Sequence, residues 1–298
     1  MKRQKILAVG IGLLLMAGLS AGCGQSQDKV VIGSKNFTEN VILGEIFAQL
    51  IRAKTDLKVE YKENLGGTMV CFEALKKGEL DIYPEYTGTG LTAHLKMDVI
   101  NDAAKVYDIV KREFDKRFDI QWLKPLGFNN TYAVAIKEDF GQQYDLHKVS
   151  QLAPLAKQLT FGAEHEFFDR QDGYDGMVRT YGLKFKGEPV KMDTSLKYQA
   201  IAEGKMDVTD AFSTDGQLIK YKLRVLEDDR HFFPPYYAAP IVRNKTLQKH
   251  PELKKVLNEL AGKISDDQMQ KMNYQAESEK KPIKDIAKAF LKAKGLIE

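Results

Sequence analysis

Hydrophobic and polar residues alternate along the chain with the two-residue period of β-strands in some segments and the 3.6-residue period of α-helices in others. The apolar run from Val30 to Ile32 ends at Gly33, and Thr38 follows where it can cap a helix with apolar residues at every third or fourth position. The segment LKVEYKE at 57–63 alternates strictly and predicts a strand. Further strands are predicted at 132–137, 159–164, 190–193, 206–212 and 240–244. Strands interleaved with helices predict an α/β fold with largely parallel sheets.

Two helices have clear signals of their own. VYDIVKREF at 106–114 carries apolar residues at helical spacing. Ser265 and Gln268 have the spacing of a capping box, which predicts that a helix begins after Ser265.

An internal repeat recurs at an offset of 126 residues, where EALKKGELDIYPEYTGTG (73–90) aligns with QAIAEGKMDVTDAFSTDG (199–216). The matched pairs are Ala74 and Ala200, Gly78 and Gly204, Asp81 and Asp207, Ile82 and Val208, Tyr86 and Phe212, Thr87 and Ser213, and Gly90 and Gly216. Each copy predicts a helix ended by glycine, a strand, and a loop that presents an aromatic side chain followed by hydroxyl and glycine residues. A second pair, VVIGSKNF (30–37) and LTFGAEHEF (159–167), repeats a strand, a glycine and a loop.

The repeat predicts two equivalent α/β lobes that face a shared cleft, because ligands of open α/β sheets bind where strands run into loops. Two aromatic-rich segments, GFNNTYAVAI (127–136) and HFFPPYYAAPIV (231–242), are predicted to be extended crossover strands between the lobes. We therefore expect lobe 1 at 30–128 plus 235–298 and lobe 2 at 129–234.

Composition and charge narrow the classes of function. With 298 residues, 43% hydrophobic and 29% charged, the chain can build a core of about two domains, which excludes disorder and coiled coil. The net charge of +4 includes Lys2, Arg3 and Lys5; without the first 22 residues, 42 basic residues face 41 acidic ones. No basic excess is left for a nucleic acid or an anionic membrane surface.

The first residues predict the cellular compartment. A basic segment precedes the apolar run from Ile6 to Leu19, which is too short for a comfortable membrane span, and residues 1–22 are predicted to be a signal peptide. The sequence LSAGC, ending at Cys23, resembles the lipobox of bacterial lipoproteins, although Ser20 stands where leucine is usual. The resemblance implies a diacylated Cys23, a short tether at 23–29, and anchoring at the extracytoplasmic face of the cell membrane.

Neither a metal site nor a catalytic centre is predicted. Cys71 lies in a predicted helix, where a buried thiol usually serves as a small hydrophobic residue, and a lipidated Cys23 leaves it no disulfide partner. The five histidines lack metal-ligand spacing, and neither G-x-S-x-G nor a P-loop occurs. A surface hydrolase remains an alternative, but no nucleophile and base recur together near the repeats. We expect no cofactor, no metal and no enzymatic activity.

The motifs, taken together, resemble one known family along the whole mature chain: the substrate-binding lipoproteins of ABC importers for osmoprotectants such as glycine betaine, choline and carnitine. The motifs are GSKNFTE (33–39), DIYPEYTGTG (81–90), NTYA (130–133), FFDRQDGY (167–174), AFSTDG (211–216) and FFPPY (232–236). The resemblance implies the type II periplasmic-binding-protein fold, with two similar α/β lobes joined by two crossover strands. It also implies the permease subunits of an ABC importer as partners.

The resemblance assigns the ligand site residue by residue. A quaternary ammonium would lie in a box of four aromatic rings: Tyr86, Tyr132, Phe212 and Tyr236. A ligand carboxylate would meet Lys35, Thr89 and Arg170. Phe212 stands where the family usually has tyrosine, so the ring face is kept and a hydroxyl is lost.

The chemistry of a quaternary ammonium ligand with a carboxylate requires the same residue types, aromatic rings and an arginine. A trimethylammonium group has no N–H to donate, whereas each ring face contributes about 0.5–2 kcal/mol when desolvated. Arg170 offers a planar bidentate fork to a carboxylate. Tyr236 and Tyr237 are adjacent and must face opposite ways on a strand; Tyr236 is predicted to line the cleft.

Two other ligand classes stay open. A larger betaine-like ligand such as ergothioneine or carnitine is possible, because sequence does not determine the volume of the pocket. A polar amino acid is a weaker alternative, since its ammonium would require an acidic partner among the loop residues.

Overall fold

The computed structural model describes residues 29–170 and 172–298. The predicted signal peptide, Cys23 and the tether up to residue 28 lie outside the described residues. Lys29, the last residue of the predicted tether, begins the first strand.

The described strands fall into two five-stranded sheets. In chain order they are Lys29–Lys35 (β1), Lys58–Gly66 (β2), Ile82–Tyr86 (β3), Ile120–Trp122 (β4), Tyr132–Lys137 (β5), Phe161–Glu164 (β6), Val190–Met192 (β7), Val208–Phe212 (β8), Leu223–Leu226 (β9) and Ala238–Arg243 (β10). Every strand predicted from the sequence is present.

The helices connect these strands and cover the sheets. They are Thr38–Lys54 (α1), Thr68–Lys77 (α2), Thr87–Thr89 (α3), Ala103–Phe118 (α4), Glu138–Gln143 (α5), His165–Asp169 (α6), Tyr174–Tyr181 (α7), Thr194–Ala202 (α8), Gln217–Lys220 (α9), Asn244–Lys249 (α10), Glu252–Asn258 (α11), Asp266–Glu277 (α12) and Ile283–Ala293 (α13). A π-helical turn at Gly90–His94 continues α3, and 3-10 turns lie at Val149–Leu152 and Ala156–Gln158.

The two sheets have the same topology, as the repeat predicts. Their strand orders are β2-β1-β3-β10-β4 and β7-β6-β8-β5-β9. The expectation of largely parallel sheets is wrong for half of each sheet, because β10 runs antiparallel to β3 and β4, and β5 runs antiparallel to β8 and β9. Each of these strands follows a crossover segment, so it enters its sheet from the other lobe and against the direction of its neighbours.

The repeated aspartates have equivalent structural roles. Asp81 Oδ2 accepts a hydrogen bond from the Val31 backbone N–H at 2.9 Å, and Asp207 Oδ2 accepts one from the Thr160 N–H at 2.8 Å. In each lobe this bond holds the start of the neighbouring parallel strand. The glycine after α2 confirms the predicted helix end, since Gly78 has φ +80°.

Two local predictions fail. Thr38 is the first helical residue of α1, and the N-cap is Phe37, whose side chain makes no capping hydrogen bond. The segment after Tyr86 is helical and not a loop, because α3 begins at the next residue. The capping box of Ser265 and Gln268 is confirmed at the start of α12.

The crossover segments lie side by side, and Asn129 pairs with Tyr237 in an isolated antiparallel bridge. The first sheet takes its strands from 29–122 and 238–243, and the second from 132–226. The lobe boundaries at 128/129 and 234/235 stay a prediction.

Cys71 is buried, and burial raises its pKa to about 11, as expected for an inert thiol. Within the described residues, no helix combines the length and the apolar character needed to cross a bilayer.

Candidate functional site

Strand register brings two of the predicted rings together. Tyr132 on β5 lies directly opposite Phe212 on β8, so both side chains leave the same face of the second sheet. Their ring centroids are 4.8 Å apart. The Tyr132 hydroxyl donates to Glu164 Oε1 at 2.8 Å, which fixes the ring from behind.

The third predicted ring, that of Tyr236, belongs to the other lobe. Tyr236 lies two residues before Ala238, which pairs with Tyr86 across β10 and β3. Together with Tyr132 and Phe212 it lines a cavity of about 210 Å³, which we call the cage. The residues that line the cage are Asn130, Tyr132, Glu166, Arg170, Phe212 and Tyr236. Tyr236 therefore lines the cage and Tyr237 does not, as the alternation along a strand predicts.

Tyr86 lies outside the lining of the cage. Its side chain is 4% exposed and belongs to the core of the first lobe, where Tyr236 packs against the same cluster. Its hydroxyl donates to Glu39 Oε1 at 2.8 Å, and its ring centroid lies 6.0 Å from that of Phe37. Burial, with the adjacent Glu39 carboxylate, raises the pKa of Tyr86 well above its ordinary value.

Arg170 reaches the cage, but its bidentate fork is already occupied. Its Nε and Nη2 donate to the two carboxylate oxygens of Asp172 at 2.8 and 2.7 Å, and its Nη1 donates to Glu166 at 3.1 Å. The guanidinium carbon lies 5.2 Å from the centroid of Tyr132. The predicted carboxylate partner of Arg170 thus comes, in this structure, from the protein itself. Despite partial burial, the Asp172 carboxylate holds the pKa of Arg170 above its usual range.

The other two predicted anion ligands are not brought to the cage. Lys35 is 3% exposed, and its Nζ donates to Glu85 at 2.5 Å and to Thr68 at 2.9 Å. Burial alone would raise the pKa of Glu85, but Lys35 and His94 lower it to about 2. Thr89 lies in α3, half-buried and outside the lining of the cage.

A buried charge cluster beneath the cage was not visible in the sequence. Lys197 is fully buried, and its Nζ donates to Asp210 at 2.6 Å and to Glu164 at 3.5 Å. The same Nζ lies 5.2 Å from the ring centroid of Phe212. Glu164 thus links the Tyr132 hydroxyl to a cation that also lies against the ring of Phe212. A lysine between apolar residues of α8 carries no signal that it is buried, because its partners lie on other strands.

Glu39 is a second buried residue near the cage that the sequence analysis did not single out, although it ends the GSKNFTE motif. It is 3% exposed and accepts from Tyr86, from Asn130 Nδ2 at 2.9 Å and from Asn273 Nδ2 at 3.1 Å. Burial raises its pKa, and the hydrogen bond from Thr214 counteracts that rise most. Glu39 therefore connects both lobes and the first crossover segment.

A second and larger cavity adjoins the cage. Its volume is about 570 Å³, and it shares Asn130 and Phe212 with the cage. We call it the interlobe cavity, because Phe37 and Glu39 line it from the first lobe and Tyr198 and Asp215 line it from the second. Within 29–170 and 172–298, no group of three or more histidine, cysteine or acidic side chains is arranged to hold a metal ion.

Comparison with known proteins decides the family. The model of the family described as the substrate binding domain of ABC-type glycine betaine transport systems matches residues 28–293. The chain belongs to this family. A curated relative, the carnitine transport binding protein OpuCC of Listeria monocytogenes, is 37% identical over 100% of this chain and 99% of its own length.

Two further relatives agree with this assignment. A crystal structure described as a glycine betaine/carnitine/choline ABC transporter superposes with a TM-score of 0.86 at 36% identity, over 90% of this chain and 100% of that one. The ergothioneine transport permease/ergothioneine binding protein EgtU of Helicobacter pylori is 37% identical over 90% of this chain, which matches 48% of that longer protein.

The family and the fold together establish the general role. The protein is an extracytoplasmic substrate-binding protein of an ABC transporter of the glycine betaine and carnitine type, with the two α/β lobes of type II periplasmic binding proteins. The family is one of transport proteins and not of enzymes.

Proposed function

We propose that the protein captures a betaine-type quaternary ammonium solute in the cage and delivers it to the permease subunits of an ABC importer. One observation carries the proposal: aromatic rings from both lobes, Tyr132 and Phe212 on one side and Tyr236 on the other, line a single cavity. The ring of Tyr132 already has the Arg170 cation 5.2 Å from its centroid, so its face suits a positive charge.

The second lobe supports a rigid cage. Tyr132 is 6% exposed and is held by Glu164, while the Nζ of Lys197 lies 5.2 Å from the ring centroid of Phe212. Rings that are fixed before the ligand arrives lose little side-chain entropy on binding, which favours affinity. Tyr86 lies next to the cage, and we propose that it completes the aromatic wall when the ligand is bound.

The proposal includes the anion site and the anchor. Arg170 would meet a ligand carboxylate only with N–H groups that Asp172 and Glu166 leave available. Lys35 would take part only after a rearrangement that separates it from Glu85, and Thr89 only after one that brings it to the cage. Lipidation of Cys23 would hold the protein at the outer face of the membrane, beside the permease.

Replacing the most enclosed ring tests the cage. We expect Tyr132→Ala to weaken the binding of glycine betaine and of choline at least tenfold by calorimetry, since a lost desolvated ring contact is near the 1.4 kcal/mol that corresponds to tenfold. Tyr132→Phe keeps the ring and should bind nearly as well as the parent.

Tyr144→Ala is the matched control, because Tyr144 is 47% exposed and lies outside the lining of the cage. An unchanged affinity in a Tyr132→Ala variant with a normal melting curve would mean that the cage does not bind the cation.

A larger betaine-like ligand is the second candidate, and the interlobe cavity favours it. The 210 Å³ of the cage suit a small solute, whereas the adjoining 570 Å³ leave room for an extended one. Titration with glycine betaine, carnitine, choline and ergothioneine under one set of conditions separates the two candidates.

A further inference from the structure

Two tyrosines of the predicted aromatic box donate their hydroxyls to buried carboxylates. Tyr132 donates to Glu164 Oε1 at 2.8 Å in the second lobe, and Tyr86 donates to Glu39 Oε1 at 2.8 Å in the first. Glu164 is 5% exposed and Glu39 is 3% exposed. Burying a carboxylate costs free energy, and an apolar residue against a phenylalanine ring would fill the same space without that cost. Packing alone therefore does not account for the pair in both lobes.

Glu164 does not line the cage. It ends β6, and it is absent from the described residues around the cavity, whereas Tyr132 is among them. The hydroxyl stands at the far end of the ring from the backbone, so the carboxylate lies beyond the hydroxyl end of Tyr132. Burial, with the adjacent Glu164 carboxylate, raises the pKa of Tyr132 above its ordinary value, so the hydroxyl keeps its proton and donates it. Any effect of Glu164 on a ligand in the cage is therefore exerted across the ring.

The charges around Glu164 leave a net negative charge next to Tyr132. Lys197 Nζ donates to Asp210 Oδ2 at 2.6 Å and to Glu164 Oε2 at 3.5 Å, so two carboxylates share one ammonium group. The pKa of Asp210 is about 6, so this carboxyl is ionised at pH 7.5. All three side chains are buried, and water screens a buried charge less than an exposed one.

The ring of Tyr132 is the one that this charge supports. Ring faces attract cations, and a negative charge beyond the ring edge adds to that attraction. The guanidinium carbon of Arg170 lies 5.2 Å from the Tyr132 centroid, so the ring already has a cation near it. Phe212 has the opposite surroundings, because Lys197 Nζ lies 5.2 Å from its centroid and repels a second cation. Tyr132 is therefore the stronger of the two rings for binding a cation.

We propose that Glu164 is a specificity-determining residue of the cage, whose buried negative charge acts across the Tyr132 ring and raises the affinity for a quaternary ammonium group. This inference rests on the proposed function. A carboxylate inside the cage would accept an N–H and so favour ordinary amines. A carboxylate beyond the ring attracts the cation but accepts no N–H from the ligand, so it gives an ordinary amine no such advantage.

Two substitutions separate the charge of Glu164 from its shape. Glu164→Gln keeps the length and an oxygen that can accept from Tyr132 but removes the charge, whereas Glu164→Asp keeps the charge on a shorter side chain. By calorimetry at pH 7.5, we expect Glu164→Gln to bind tetramethylammonium at least fivefold more weakly than the parent. The loss for glycine betaine should be at least threefold, since its own carboxylate is repelled by the same charge.

The order of the variants decides between charge and shape. Glu164→Asp should bind both ligands more tightly than Glu164→Gln. If Glu164 only holds the ring in place, Glu164→Gln binds like the parent and Glu164→Asp binds more weakly, which would overturn the proposal. Glu203→Gln is the matched control and should bind like the parent, because Glu203 lies in the same lobe, is exposed, pairs with Lys205 at 2.7 Å and does not line the cage.

The parent protein offers a test that needs no variant of Glu164. The ¹³C resonance of Tyr132 Cζ, assigned with Tyr132→Phe, should lie downfield of that of Tyr144, which is 47% exposed, because an ionised acceptor draws the hydroxyl proton away from the ring. Equal positions of the two resonances would overturn the proposal even if both Glu164 variants fail to fold.

Tyr132→Ala separates this inference from the proposed function. If Tyr132→Ala loses glycine betaine while Glu164→Gln binds it like the parent, the cage stands and the role of Glu164 fails. If Tyr132→Ala leaves the binding of glycine betaine unchanged, the cage fails and the role of Glu164 fails with it.

Discussion

Arg170 shows how the partners of a residue decide its role. As a residue type it offers a bidentate fork for a ligand carboxylate, but the carboxylate of Asp172 fills that fork at 2.7 and 2.8 Å. The charge that remains near the cage is therefore smaller than the sequence suggests. A zwitterionic ligand gains less from Arg170 than it would from an unpaired guanidinium, because charge-assisted hydrogen bonds to Asp172 must be shared or replaced.

The surroundings of Asp210 predict that the free energy of unfolding depends on pH. Burial raises the pKa of Asp210 to about 6, against the attraction of Lys197 and with added repulsion from Glu164. A carboxyl whose pKa is higher in the folded than in the unfolded state stabilises the fold at low pH, and that contribution is lost as the pH rises through the folded value.

We therefore expect the free energy of unfolding of the parent, measured relative to Asp210→Asn, to increase when the pH falls from 7 to 5. Urea unfolding at the two pH values measures this difference. Asp175→Asn, at an exposed position, should show no such change. A parent and an Asp210→Asn variant with parallel pH profiles would contradict the raised pKa.

At the scale of elements, the strand β3 and the helix that follows it position Tyr236. Because α3 begins directly after Tyr86, Gly88 lies against the second crossover segment. A Cβ on Gly88 would come within 2.6 Å of Tyr236 Cε1 and 2.8 Å of the Pro235 carbonyl oxygen. The glycine thus lets the helix approach the ring closely enough to hold it in the cage.

Gly88→Ala should displace the Tyr236 ring and weaken quaternary ammonium binding by about tenfold, the size of one lost cation–π contact. Calorimetry with choline and with glycine betaine measures the loss. Gly67→Ala is the matched control, since Gly67 has no atom within 4 Å of an added Cβ. Equal affinity in both variants would show that Gly88 does not position Tyr236.

At the scale of the whole molecule, α12 connects the two lobes beside the site. It packs in the core of the first lobe through Met269 and Met272, while Gln270 Nε2 donates to the Ser213 carbonyl at 2.6 Å. Ser213 follows Phe212 in the second lobe. A hydrogen bond between the lobes favours the arrangement in which they meet over the ligand, so we expect it to act on how long the ligand is held.

Gln270→Ala should therefore speed ligand dissociation by roughly two- to twelvefold, which corresponds to about 0.5–1.5 kcal/mol for one hydrogen bond. The association rate should change little. Stopped-flow measurement of both rates is the test, with Gln275→Ala on the same helix as control. A dissociation rate equal to that of the parent would mean that this contact does not contribute to closure.

The sequence by itself determined the fold class, eight of the ten described strands, the equivalence of the two halves and the three rings that line the cage; β4 and β9 were not predicted. These features depend on local periodicity and on short motifs, whose signal lies in neighbouring residues. The register that places Tyr132 opposite Phe212 is not among these features, because pairing between strands that are distant in the sequence is set only when they pack.

Only the tertiary structure decided which charges are free to meet a ligand. Lys35 pairs with Glu85, which is 50 residues away, and Asn273 reaches Glu39 across 234 residues. Lys197 and Asp210 are buried together although both look like ordinary surface residues in the sequence. The energy of a charge depends on its burial and on the groups within a few ångströms, and both are set when distant segments pack. Residue types along the chain therefore predict the aromatic cage better than the electrostatics around it.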